Sequence, residues 1–81
     1  ITSEQLSRVE GAEAVLHREG FRHFRVRSHG EIARIELAQD EVTRLLESDR
    51  CAEISARLKA LGFKFVTVDL EGYRPGGVTL S

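Results

Sequence analysis

Cysteine occurs once, proline once, and tryptophan and methionine not at all in these 81 residues. The lone thiol, Cys51, closes no internal disulfide, which excludes a small secreted domain held by cross-links and points to a reducing, cytoplasmic compartment. No signal-peptide pattern is present, and no apolar run approaches the roughly 18 residues of a spanning helix, so no membrane partner is expected. An excess of one charge is lacking too. Ten Arg and two Lys face ten Glu and three Asp, a net charge of −1, which argues against a nucleic-acid partner held by bulk positive charge. Length is the last shortage: the chain is enough for one small domain and a thin core, too little for a complete enzyme with a closed pocket. The first residue is Ile, not Met, so a fragment of a longer chain is expected.

What is there reads as a globular domain, 41% hydrophobic and 31% charged. From Ser3 to Arg18, Leu6, Val9, Ala12 and Leu16 recur at helical spacing, with Thr2 or Ser3 as a cap and Gly20 as the stop. Two alternating runs follow, Phe21–Ser28 and Glu31–Leu37, joined at His29-Gly30 as a tight hairpin. Gln39–Glu47 reads as a short helix, and Arg50–Leu61 as a longer one, with Ser48-Asp49 placed to cap it. Gly62 ends that helix, Phe63–Leu70 is rich in strand formers, and Glu71 to Gly77 is a loop by its Gly and Pro content. The order α-β-β-α-α-β predicts an α+β fold: a three-stranded, mostly antiparallel sheet with helices packed on one face and the first strand in the centre. Leu16, Gly20, Phe21 and Val26 recur as Leu58, Gly62, Phe63 and Val68, through shared capping or through duplication.

Alternation along the strands assigns Phe24, Val26, Ala33, Ile35, Leu37, Val66, Val68 and Leu70 to the helix side. The other face collects His23, Arg25, Arg27, Ile32, Arg34, Glu36, Phe63, Phe65, Thr67 and Asp69. This is either a solvated face whose charges pair across strands or one partly covered by another domain or subunit, since Ile32, Phe63 and Phe65 lie among the charges. Arg25 and Arg27, two apart on one strand, carry their guanidinium groups on one side about 7 Å apart, a spacing that can hold one phosphate or sulfate. Glu13 falls on the apolar stripe of the first helix; it either snorkels at the edge of the stripe or takes an arginine, a metal or a domain boundary as partner. Cys51 is expected to be a small core residue. His17, His23 and His29 have no ligand spacing, so no metal site is expected.

Two long motifs, Arg25-Val-Arg27-Ser-His29-Gly-Glu-Ile-Ala-Arg34-Ile-Glu36-Leu and Leu61-Gly-Phe-Lys-Phe-Val-Thr-Val-Asp69-Leu-Glu-Gly72-Tyr73-Arg74, resemble the C-terminal part of LarE-type ATP-dependent sacrificial sulfur transferases. Ile1 to Gly20, with Ala12-Glu13 near the middle, also resembles that family, which belongs to the PP-loop pyrophosphatase superfamily. The resemblance implies a parent protein whose N-terminal PP-loop domain uses ATP and Mg to adenylylate a pyridinium carboxylate, a precursor of the nickel-pincer nucleotide cofactor. A cysteine of the parent, or an iron–sulfur cluster in other members, then yields the sulfur.

Residue by residue, Glu13, Arg25, Arg27 and Glu36 match family positions tied to the sulfur-transfer region or an anion-binding subunit interface. The resemblance therefore implies substrate or phosphate binding by Arg25, Arg27, Glu13 and Glu36, with a supporting role for Glu13 in the chemistry, and a homo-oligomer in which this domain contacts its own PP-loop domain. The family's Ser-Gly-Gly-x-Asp-Ser loop and sacrificial cysteine are absent here. Cys51 does not align with that cysteine, and Pro75-Gly76-Gly77 replaces a more usual Ser-Gly-Ser. The fragment alone should bind no cofactor and show no ATPase or sulfurtransferase activity. The competing expectation is a stand-alone, non-catalytic binding or oligomerisation module.

Overall fold

A computed structural model describes residues 3–73; Thr2 as a cap and the expected loop from Arg74 to Gly77 lie outside them. The elements follow the expected order: α1 (Ser3–Arg18), β1 (Phe24–His29), β2 (Ile32–Leu37), α2 (Gln39–Glu47), α3 (Cys51–Ala60) and β3 (Phe65–Val68). The fold is α+β, with a mixed three-stranded sheet under three helices. No helix among the described residues is long and apolar enough to cross a membrane.

Glycine does what the repeated pattern requires. Gly20 takes a positive φ of 94°, its N–H bonds the His17 carbonyl at 3.0 Å, and the Phe21 N–H bonds that of Leu16 at 3.1 Å. These two bonds are the Schellman pair that satisfies the last carbonyls of a helix. They fold Phe21 back into the core beside Leu16. Gly62 repeats the first of these bonds after α3, with φ 117° and its N–H on the Lys59 carbonyl at 3.0 Å, and Phe63 is buried in turn.

The strand order corrects the expectation of a central first strand: it is β1-β2-β3, with β2 in the middle. β1 and β2 pair antiparallel from Phe24↔Leu37 to His29↔Ile32, so the two-residue hairpin loop is Gly30-Glu31, one residue later than expected, with positive φ at Gly30. β3 pairs parallel to β2, from Ile32↔Phe65 to Ile35↔Val68. Parallel neighbours need a long crossover, and α2 with α3 supplies it. Burial agrees with the order, since Ala33, Ile35, Glu36 and Leu37 of β2 are buried, against Val26 alone in β1 and none in β3.

Between sheet and helices lies one core, made of Ala12, Leu16, Phe21, Val26, Ala33, Ile35, Leu37, Val42, Leu45, Ile54, Leu58 and Phe63. Phe63 was expected on the open face; it precedes β3, where strand alternation does not apply, and the Gly62 turn sends it inward. Leu70, expected against the helices, is 74% exposed because β3 ends at Val68 and Asp69 Oδ1 accepts the Glu71 N–H at 2.9 Å to open a turn. Cys51 is half-buried at the first residue of α3, one turn before the buried Ile54 and Leu58, and is not part of the core. Ser48, expected to cap α3, accepts the Arg50 N–H on its hydroxyl at 2.8 Å just ahead of that helix.

Candidate functional site

The uncovered sheet face carries a cluster of charges centred on Glu36. Alternation turns Ile35 and Leu37 to the helices and Glu36 to the other side, yet Glu36 is only 8% exposed. Its carboxylate lies between two guanidinium groups: Arg34 Nη2 donates to Oε2 at 2.8 Å and Arg27 Nε donates to the same oxygen at 3.2 Å. Arg27 and Arg34 are themselves directly paired across the strands. Like charges so placed destabilise a sheet, and the shared carboxylate offsets their repulsion. Asp69 at the end of β3 extends the cluster, with Oδ2 4.0 Å from Arg34 Nε. That distance is electrostatic contact without a hydrogen bond, and Arg34 Nε is a buried donor with no acceptor.

Arg25 behaves differently. It stands directly opposite Glu36 in the register, yet its guanidinium sits 5.3 Å from the centre of the Tyr73 ring in a cation–π contact. Tyr73 is brought there by the turn after β3, where Gly72 has φ 82° and the Tyr73 N–H bonds the Leu37 carbonyl. Arg25 and Arg27 therefore share a face as expected but reach in different directions, one over an aromatic ring and the other to a carboxylate. With three arginines against Glu36 and Asp69, the cluster keeps one surplus positive charge, and Arg25 is the member without a carboxylate partner.

Glu13 is not brought to this cluster. It sits half-buried on α1, in the helix layer on the other side of the sheet, where the core stripe runs through Ala12 and Leu16. No ion pair or hydrogen bond joins it to a described residue. Strand alternation puts Arg34 and Asp69 on this face without assigning either a role, and Tyr73 enters from the sequence only as part of a motif. The expected loop at His29-Gly30 would have paired Arg25 with Arg34; the Arg27↔Arg34 pairing follows from the loop lying one residue later, at Gly30-Glu31, and the return of Tyr73 over Arg25 depends on the turn at Gly72.

Beside the open face, Ile32 and Phe65 are cross-strand partners and remain 38% and 59% exposed. Among the described residues no group of three or more His, Cys, Asp and Glu side chains is placed to hold a metal ion.

No family model matches the chain. It is 41% identical over 76 residues to an uncharacterized protein of Synechocystis sp., a match that takes in 94% of this chain and 28% of the relative. It is 40% identical over 77 residues to the pyridinium-3,5-bisthiocarboxylic acid mononucleotide synthase of Lactiplantibacillus plantarum, covering 94% of this chain and 27% of that protein. The chain thus spans little more than a quarter of the length of either relative.

Proposed function

We propose, from this relationship to the LarE-type sulfur transferases, that the chain is the C-terminal domain of such an enzyme and binds anions for it. The resemblance carried by the two motifs holds over nearly the whole chain, and the identity to the Lactiplantibacillus synthase is the observation on which the reading rests. In this reading the parent protein adenylylates a pyridinium carboxylate with ATP and Mg through an upstream PP-loop domain and then adds sulfur. The arginine face of this domain holds the phosphate of the pyridinium nucleotide at a boundary between subunits.

The chemistry of the face supports that assignment. A phosphate needs guanidinium donors whose charge is not already neutralised. Among the described residues Arg25 has only a tyrosine ring as partner, so it can turn to an anion without breaking an ion pair there. Arg27 keeps two Nη groups beyond the Nε bond to Glu36, and side-chain exposure of 43% leaves them accessible. Glu36 serves as the anchor that fixes Arg27 and Arg34, not as a ligand, since a carboxylate repels phosphate. Glu13, in the helix layer, then serves a contact separate from the arginine face.

Replacement tests the reading directly. In the full-length parent, Arg25→Ala and Arg27→Ala are each expected to abolish sulfur transfer while circular dichroism and melting stay close to wild type. Unchanged turnover in both variants refutes the role. The exposed Ile32 and Phe65 pair also suits a stand-alone binding or oligomerisation module. The two readings part on the reading frame upstream of Ile1: a Ser-Gly-Gly-x-Asp-Ser loop there supports the sulfur transferase.

A further inference from the structure

Between the first half of α1 and the outer edge of β1 runs an open groove of about 380 Å3, lined by Leu6, Val9, Val26, Ser28, Arg25 and Arg27 among others. Among the described residues β1 has a strand neighbour on one side only. The Ala38 N–H bonds the His23 carbonyl at 2.9 Å, and the register continues unbroken from Phe24↔Leu37. In an antiparallel ladder the bonding direction alternates, so Arg25, Arg27 and His29 turn their backbone groups to β2, and Phe24, Val26 and Ser28 turn theirs outward. Among the described residues the outward set is a row of unpaired donors and acceptors at the spacing of an extended strand.

The walls of the groove differ in chemistry. On the helix side, Leu6 is 47% exposed and Val9 is half-buried, so aliphatic groups line that wall. The Ser28 hydroxyl there is buried and has no hydrogen-bond partner. On the opposite side of the strand stand Arg25 and Arg27. A strand added to this edge would meet apolar surface with one set of alternate side chains and guanidinium groups with the other.

We propose that the β1 edge is a docking site for an extended peptide segment of alternating aliphatic and acidic residues, taken up as a fourth strand. Main-chain hydrogen bonds to Phe24, Val26 and Ser28 supply the pairing, and the two walls supply the choice of sequence. A second copy of β1 is the wrong occupant, because antiparallel self-pairing sets its arginines against Arg25 and Arg27 and like charges across a ladder are destabilising. The segment matches β1 in length, six residues. This proposal rests on the edge and its charge and does not depend on the phosphate assignment.

The test uses the isotopically labelled 81-residue chain and the synthetic hexapeptide acetyl-Glu-Val-Glu-Val-Glu-Val-amide, followed by amide exchange and chemical shifts. The expected result is slowed exchange at Val26 and Ser28 on addition of the peptide. The Lys-for-Glu peptide should bind at least about tenfold more weakly, equivalent to about 1.4 kcal/mol. Of two peptides N-methylated on alternate amides, one should lose binding and the other keep it, because only one set of amides faces β1. Leu6→Glu, at an exposed position, should weaken binding without changing the melting temperature. Equal binding of both methylated peptides, shifts confined to the open face, or no binding at millimolar peptide would each overturn the proposal.

Discussion

Glu36 shows how one carboxylate can organise a face that is otherwise exposed. Removing it leaves Arg27 and Arg34 directly opposed with nothing between them. Both arginines are about two-fifths exposed, so water screens much of their repulsion and the cost stays well below that of a fully buried pair. Glu36→Ala is expected to lower stability by about 1–2 kcal/mol in urea unfolding, and Glu36→Gln, which keeps the shape and one acceptor, by less. Equal stability of wild type and Glu36→Ala would show that the arginines are solvated independently. The place of Glu36 on the open face was legible from alternation alone. Its partners were not, because the bond runs diagonally from Arg27 while Arg25, directly opposite, turns to Tyr73.

Elements with strong local signals were read closely from the chain. The limits of α1 and α2 coincide with the apolar spacing of Leu6 to Leu16 and with the short run from Gln39 to Glu47. The last strand was read too long, and Phe63 and Leu70 were assigned to the wrong sides in consequence. The signal that places Phe63 inside was present in the repeat itself: a Gly stop followed by an aromatic that folds back on the last-turn leucine, as Phe21 does on Leu16. The turn after β3 depends on Gly72, where a Cβ would lie 2.6 Å from the Leu37 carbonyl oxygen at φ 82°. Neither the backbone contact nor the positive φ tolerates a side chain, so Gly72→Ala should destabilise by about 1–3 kcal/mol. Its distinguishing effect is local: the tyrosine fluorescence should lose its response to Arg25→Ala, since Tyr73 is the only tyrosine of the chain.

Across the whole molecule, 33 by 31 by 18 Å, the thin dimension holds one sheet and one helix layer. Such a slab depends on ties between elements distant in sequence. One is the fork in which Arg50 Nε and Nη2 meet Glu19 Oε1 and Oε2 at 3.1 and 2.7 Å, joining the end of α1 to the start of α3. The hydrogen bond from Arg50 holds the Glu19 carboxyl below the usual glutamate range and raises the Arg50 guanidinium in return. A depressed carboxyl stabilises the fold above its unfolded pKa of about 4.3 and loses that contribution as the pH falls through its lower folded value. Wild type should therefore melt above Glu19→Gln at pH 6, and the difference should shrink as the pH is lowered below about 4. A constant difference across that range would assign the effect to packing.

The overall class was legible because the order of helices and strands limits how layers can form. The central strand was not, because a hairpin can extend its sheet on either side. The two-helix crossover that places β3 beside β2 also sets the order of assembly. The hairpin closes over Gly30-Glu31, a local event, whereas Ile32 meets Phe65 only after both crossover helices have been spanned. Distant pairings form late because chain entropy is lost before they add contacts. The sheet is therefore expected to grow from its arginine-bearing hairpin outward, with the four residues of β3 completing it last, an order that pulsed amide exchange during refolding would show.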